Sequence, residues 1–157
     1  MSAASVRAFL AEHAPDIAVI DHGQSTATVA EAAATLGVVP ARIAKTLSLR
    51  TPDGVVLVVA RGDARLDNAK MKAALGGRAK MLGGEEVLAL TGHPVGGVCP
   101  FGLATPLPVL CDVSLKAFAT VFPAAGSGTT SVEIAPERLA QIVGARWVDV
   151  CGPPPAA

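Results

Sequence analysis

The chain has 157 residues, 51% of them hydrophobic and only 3% aromatic, which is enough for one domain whose core must come from Ala, Val and Leu. Its formal net charge is zero, which excludes a global basic field, so contact with nucleic acid would need a local patch. No apolar run approaches the roughly 20 residues of a membrane span, and the first residues lack the basic-then-apolar pattern of a secretory signal, so a cytoplasmic location is expected.

In chain order, residues 5–13 predict a short amphipathic helix with Val6, Phe9 and Leu10 on one face, stopped before Pro15. Ile17 to Ile20 predicts a strand, and Asp21-His22-Gly23 a turn. Thr28 with Glu31 three residues on is a capping-box pattern. It opens an Ala-rich helix to Leu36, with Gly37 in the C′ position. Pro40 suits the first position of another short helix.

Ala44 to Arg50 alternates polar and apolar residues and predicts a strand. Thr51-Pro52-Asp53-Gly54 has the residues of a type I turn, and Val55 to Ala60 is a buried returning strand. Asp67 caps a helix to Leu75 that stops at Gly76-Gly77. Arg78 to Leu82 predicts a short strand, and Gly84-Glu85-Glu86 opens a helix to Leu90 with acids in its first turn. After a glycine-rich stretch at 91–102, Val109 to Val113 predicts a strand, Ser114 to Lys116 a helical turn and Phe118 to Phe122 a strand. Ser131 to Ile134 alternates like a strand, Pro136 starts a helix to Val143 that Gly144 ends, and Trp147 to Val150 closes the sheet. A tail at 152–157 is expected to be loose. Helices and strands mix without strict βαβ alternation, so the expected fold is α+β: one domain over 1–157, with a mixed, largely antiparallel sheet flanked by helices.

The stretch Thr91 to Gly102 holds four glycines and two prolines in twelve residues. Such a loop is shaped by proline and lets another molecule approach main-chain N–H groups closely. A second small-residue loop runs from Pro123 to Thr130. A Ser, Cys or Thr nucleophile needs an activating base. His13 and His22 sit at the ends of early elements and read as surface residues, while His93 lies in the glycine loop with Cys99 but without a GxSxG elbow. Cys99, Cys111 and Cys151 have neither CxxC spacing nor a histidine partner, which argues against a disulfide framework or zinc. With no metal-ligand motif and no Walker or dinucleotide fingerprint, neither metal nor cofactor is expected. Lys45 shares a strand face with Leu47 and Leu49. Either it snorkels to the edge, or it reaches into a cavity and meets an anion as a point charge.

The ordered set Arg42-Ile43-Ala44-Lys45-Thr46-Leu47, Arg61-Gly62-Asp63, Thr91 to Gly102, Ala125-Gly126 and Ile134 to Leu139 resembles the YbaK/prolyl-tRNA-editing family. The resemblance implies a trans-editing hydrolase that deacylates mischarged tRNA, alanyl- or cysteinyl-tRNA(Pro) first, with serine and threonine open. It implies that Lys45 contacts the terminal adenosine region and that Gly96 through Pro100 surround the aminoacyl group. Catalytic candidates are therefore Lys45, Gly96 and Gly97, the glycines through main-chain N–H groups. Substrate-binding candidates are His93, Val98, Cys99, Pro100 and Phe101, with Gly126, Ser127 and Gly128 from the second loop. The expected partners are the tRNA 3′ end and an aminoacyl-tRNA synthetase. Lys70, Lys72, Arg78 and Lys80, with Arg61, Arg65 and Lys45, form a candidate strip for the tRNA; the alternative is a solvated helix face. Two other functions compete: a non-catalytic module that holds a nucleotide or acceptor end, and a thiol hydrolase using Cys99.

Overall fold

Local signals place most elements. In the computed structural model, which describes residues 2–152, helix α1 (Ser2–His13) precedes the short strand β1 (Ile20–Asp21). Helix α2 (Val29–Leu36) begins at its capping box: Thr28 Oγ1 accepts from the Glu31 amide at 3.1 Å. Gly37 ends the helix in the left-handed region at φ 69°, where an L side chain is strained. A 3-10 turn at Pro40–Arg42 leads into β2 (Ile43–Thr51), which pairs antiparallel with β3 (Gly54–Arg61) around Pro52-Asp53. Helix α3 (Asn68–Leu75) is capped by Asp67, whose carboxylate accepts from the Lys70 amide at 3.0 Å. Then follow β4 (Lys80–Met81), α4 (Gly84–Thr91), β5 (Val109–Asp112), a 3-10 turn at Val113–Ala117, β6 (Phe122–Pro123), β7 (Thr130–Ser131), α5 (Pro136–Val143) and β8 (Arg146–Val148). From residue 153 the tail expected to be loose lies outside the described residues.

Six strands form one mixed sheet in the order β4-β2-β3-β5-β8, with β6 also paired to β2. Its longest pairing is the antiparallel hairpin; β3 with β5, β5 with β8 and β2 with β6 run parallel. Because β3 occupies one edge of β2, β4 and β6 share the other. Strands β1 and β7 make a separate antiparallel pair.

Alternation along β3 divides the core. Leu57 and Val59 pack with Val6 and Leu10 of α1 and Leu139 and Ala140 of α5. Val58 and Ala60 pack on the opposite face with Met71 and Leu75 of α3. The result is helices on both faces of a sheet, with a smaller cluster of Ala32, Ala33 and Ile43 under α2. Among the described residues no helix is long and apolar enough to cross a membrane.

The strands expected at 17–20, 118–122 and 131–134 are shorter than their alternation suggests. Only Ile20–Asp21, Phe122–Pro123 and Thr130–Ser131 are strand, with single bridges at Val121–Ile134 and Ala124–Ser131. A strand persists only where a partner's main chain runs beside it, and these segments find one for two residues before turning away.

Candidate active site

The outer edge of β2 is covered at its ends and open in the middle. Strand β6 pairs with Ile43 and Ala44, β4 pairs with Leu49 and Arg50, and neither reaches Lys45, Thr46 or Leu47. The gap opens into a cavity of about 240 Å³, closed by the segment leading into α2, the end of β4, the glycine loop and β7. Among the described residues its only ionisable lining side chain is Lys45: no carboxylate, imidazole or thiol contributes to the wall.

Lys45 takes the face of Leu47 and Leu49, and its ammonium is anchored by the carbonyls of Gly62, at 3.2 Å, and Ala64. The turn that supplies these acceptors is itself fixed. Arg61 binds Asp63 at 2.6 Å, and a Cβ on Gly62 would lie 2.2 Å from the Pro40 carbonyl oxygen. Two of the ammonium's three donors are thus engaged and one is left for a ligand. Burial lowers the Lys45 pKa from the ordinary lysine value, with the Asp63 carboxylate working the other way.

The glycine loop has a front and a back. Gly96, at φ 95°, and Val98 line the cavity. His93, Cys99 and Phe101 are fully buried, and Pro100 is buried with them. Expected from the sequence to contact the substrate, these four instead sit behind the cavity wall, because the loop's apolar residues join the core of α1 and β5. His93 Nε2 donates to the Phe101 carbonyl at 2.7 Å; since a carbonyl only accepts, Nδ1 carries no proton, and it has no partner. Burial pushes the His93 pKa down. Burial also pushes the Cys99 thiol up to about 12, which removes the thiolate a thiol hydrolase would need.

Gly97 plays a different part from the one expected of its amide. That amide donates to the Pro94 carbonyl at 2.9 Å, and the Gly97 carbonyl accepts from the Gly126 amide at 3.0 Å. A Cβ at Gly97 would lie 2.5 Å from the Ser127 nitrogen, so the two loops meet main chain to main chain. Gly126, Ser127 and Gly128 brace the site from behind: the Gly128 carbonyl accepts from the Thr26 amide at 2.7 Å, and Ser127 Oγ bonds Thr130 Oγ1 at 2.7 Å. The amides of Gly96 and Val98 have no hydrogen-bond partner among the described residues.

Three further residues matter that sequence patterns do not single out. Thr26 and Thr46 line the cavity, and the hydroxyl of each is buried without a hydrogen-bond partner. Ser131 also lines it, and its Oγ lies 2.6 Å from His22 Nε2. The place of Thr46 beside Lys45 is the one sequence hint. The expected basic strip is thinned by pairing: Lys70 binds Asp149 at 3.0 Å, and Arg61 is held by Asp63. Arg65, Lys72, Arg78 and Lys80 remain exposed.

The sequence signature of the aminoacyl-tRNA editing domain matches residues 24–142. Over 153 residues the chain is 48% identical to YwhH, an uncharacterized protein of Bacillus subtilis, covering 96% of this chain and 98% of that one. It is 28% identical over 128 residues to EbsC of Enterococcus faecalis, named as a candidate Cys-tRNA(Pro)/Cys-tRNA(Cys) deacylase, covering 80% and 76% of the two chains. The fold superposes with a TM-score of 0.89 and 32% identity on a crystal structure described as a candidate trans-editing enzyme for prolyl tRNA synthetase, covering 97% and 98%.

Proposed function

The chain belongs to the aminoacyl-tRNA editing domain family, and on that premise we propose that it is a trans-editing hydrolase. It cleaves the ester between a wrongly attached small amino acid and the 3′ end of a tRNA, with tRNA(Pro) the leading identity and a synthetase the natural partner. Alanine and cysteine are the amino acids that the family resemblance puts first. The observation that carries the reading is the cavity at the split edge of β2, whose wall Lys45, its ammonium anchored on two carbonyls, shares with the glycine loop and with no other ionisable side chain among the described residues.

An aminoacyl ester is already activated, so placement and charge stabilisation suffice. The remaining Lys45 donor holds the terminal adenosine region as a point charge. The Gly96 and Val98 amides receive the oxyanion of the tetrahedral intermediate, a contribution of about 3 kcal/mol per donor. Gly97 contributes close approach rather than an amide. Water is oriented by the substrate's own ribose hydroxyl, which accounts for a wall without carboxylate or imidazole. The exposed Lys72, Arg78 and Lys80 lie near β4 and give the acceptor arm local positive charge. In a deacylation assay with mischarged tRNA, Lys45→Ala removes activity while the fold persists; undiminished turnover by that variant would sink the assignment. Binding of the acceptor end with no turnover by the wild type would leave the non-catalytic module standing.

A second reading is favoured by one contact, the 2.6 Å bond between Ser131 and His22, the arrangement of a hydroxyl nucleophile and its base. It requires an acyl-enzyme on Ser131. Trapping that ester by mass spectrometry would establish it, and substantial activity in Ser131→Ala would eliminate it.

A further inference from the structure

We propose that Asp63 is a positioning residue for Lys45: from inside the turn at 61–64 it helps hold two carbonyls on the lysine ammonium and supplies its counter-charge. This rests on the deacylase reading, in which Lys45 meets the substrate, and concerns a residue outside the cavity lining. The hairpin brings the parts together. Ala44 pairs with Arg61 and Lys45 with Ala60, so the turn after β3 begins beside the lysine. The turn closes on itself, the Ala64 amide donating to the Arg61 carbonyl at 3.0 Å. The Gly62 and Ala64 carbonyls accept from Lys45. Within the same turn Arg61 forks onto Asp63, Nε donating to Oδ1 at 2.6 Å and Nη2 to Oδ2 at 3.0 Å. The two side chains are only 24% and 25% exposed, so solvent screens them less than an open surface pair.

An ion pair this local could serve the turn alone, but two observations tie it to Lys45. The turn is already wedged without it: a Cβ on Gly62 would lie 2.2 Å from the Pro40 carbonyl oxygen and 3.0 Å from that of Ile43. The surroundings of the ammonium are also short of negative charge. Burial acts first against the charged form of Lys45, and the Arg65 cation adds to it, while Cys151 and Asp63 act the other way. Burial pushes the Cys151 thiol up to about 12, so it is uncharged at neutral pH, and of these two Asp63 is the anion that remains. Two neutral carbonyls satisfy donors of a half-buried ammonium but leave its charge uncompensated. The Asp63 carboxylate compensates it, and Arg61, itself 5.7 Å from the Phe118 ring centroid, fixes where that carboxylate sits. Without the carboxylate, Arg61 becomes a second unbalanced cation in the turn.

The test follows the Lys45 side chain directly. In the full chain carrying isotope-labelled lysine, the Lys45 signal is assigned by its absence from Lys45→Ala and titrated by NMR. In Asp63→Asn, which keeps an acceptor for Arg61 but not the charge, Lys45 titrates at lower pH than in the wild type. Asp63→Ser does the same, and Asp63→Glu, which restores the charge, stays near the wild type. In deacylation of mischarged tRNA, with spontaneous hydrolysis subtracted, the alkaline fall of kcat/KM moves to lower pH alongside in the two neutral variants. Turnover on that limb drops by about tenfold, the scale of one neighbouring opposite charge. A pair that serves the turn alone gives the opposite sign: a loosened turn lets water reach the ammonium, and Lys45 titrates closer to the ordinary lysine value. That rise, or an unchanged titration in Asp63→Asn and Asp63→Ser, overturns the proposal and leaves the deacylase reading intact. So does an alkaline limb that stays in place while the titration moves. A lowered titration in a protein that deacylates no mischarged tRNA keeps Asp63 as the residue that positions Lys45 and removes the deacylase reading.

Discussion

Val98 and Cys99 are neighbours in one loop, yet Val98 lines the cavity and Cys99 is sealed in the core behind it. The same division separates Gly96 from His93 and Phe101. The front of the loop faces the cavity; the back holds the front in position by packing against α1 and β5. The glycine-rich loop is thus held in place, its main chain pinned by a core on one side and by the Gly126 loop on the other. Substitutions on the two sides should therefore fail differently.

The largest effect is expected on the back. Phe101→Ala removes a fully buried ring and should cost about 3–5 kcal/mol of stability by denaturant unfolding, with activity lost through unfolding rather than chemistry. Next is Lys45→Ala, which should lower kcat/KM about a hundredfold or more with little change in the unfolding midpoint. Retained activity there would dissolve the distinction between a contacting front and a supporting back. Gly97→Ala lies between the two sides. Its Cβ would meet Ser127 main chain at 2.5 Å, so about 1–3 kcal/mol of stability and part of the activity should fall together.

A smaller effect comes from pH. His93 is neutral and buried, with its pKa depressed by burial, whereas the unfolded side chain titrates near about 6.5. Between those values the unfolded state binds the proton and the folded state does not. His93 therefore leaves stability whole above about pH 6.5 and erodes it as pH falls, by at most about 1.4 kcal/mol per unit. His93→Gln, which keeps a donor for Phe101, should flatten that part of the profile. The smallest effect is expected for Cys99→Ala: about 1–2 kcal/mol of packing and near-normal turnover per folded molecule. Loss of turnover in a folded Cys99→Ala protein would restore the thiol to the mechanism.

Elements set by local chemistry were legible from the residues. The Thr28 box, the Asp67 cap and the Thr51-Pro52-Asp53-Gly54 turn each act over a few residues and are found where expected. Strands β1, β6 and β7 were less so, because each exists only as far as a distant partner accompanies it. In the site, Lys45 and the glycine loop could be picked out by residue type. The two sides of that loop could not, since a Gly/Pro stretch has no period to reveal which residue points where. Nor could the orphan state of Thr26, which depends on what surrounds it and not on its neighbours in sequence.

The uncovered stretch of β2 has one more consequence, for solution behaviour. An open sheet edge invites pairing with another chain and so aggregation. Here the two-residue strands β4 and β6 stand as stops at either end, leaving only residues 45–47 without a strand neighbour on that edge. A foreign strand of the usual five or six residues, about 17–20 Å long, has no room to add there. The interruption that opens onto the cavity also blunts this stretch of edge against strand addition.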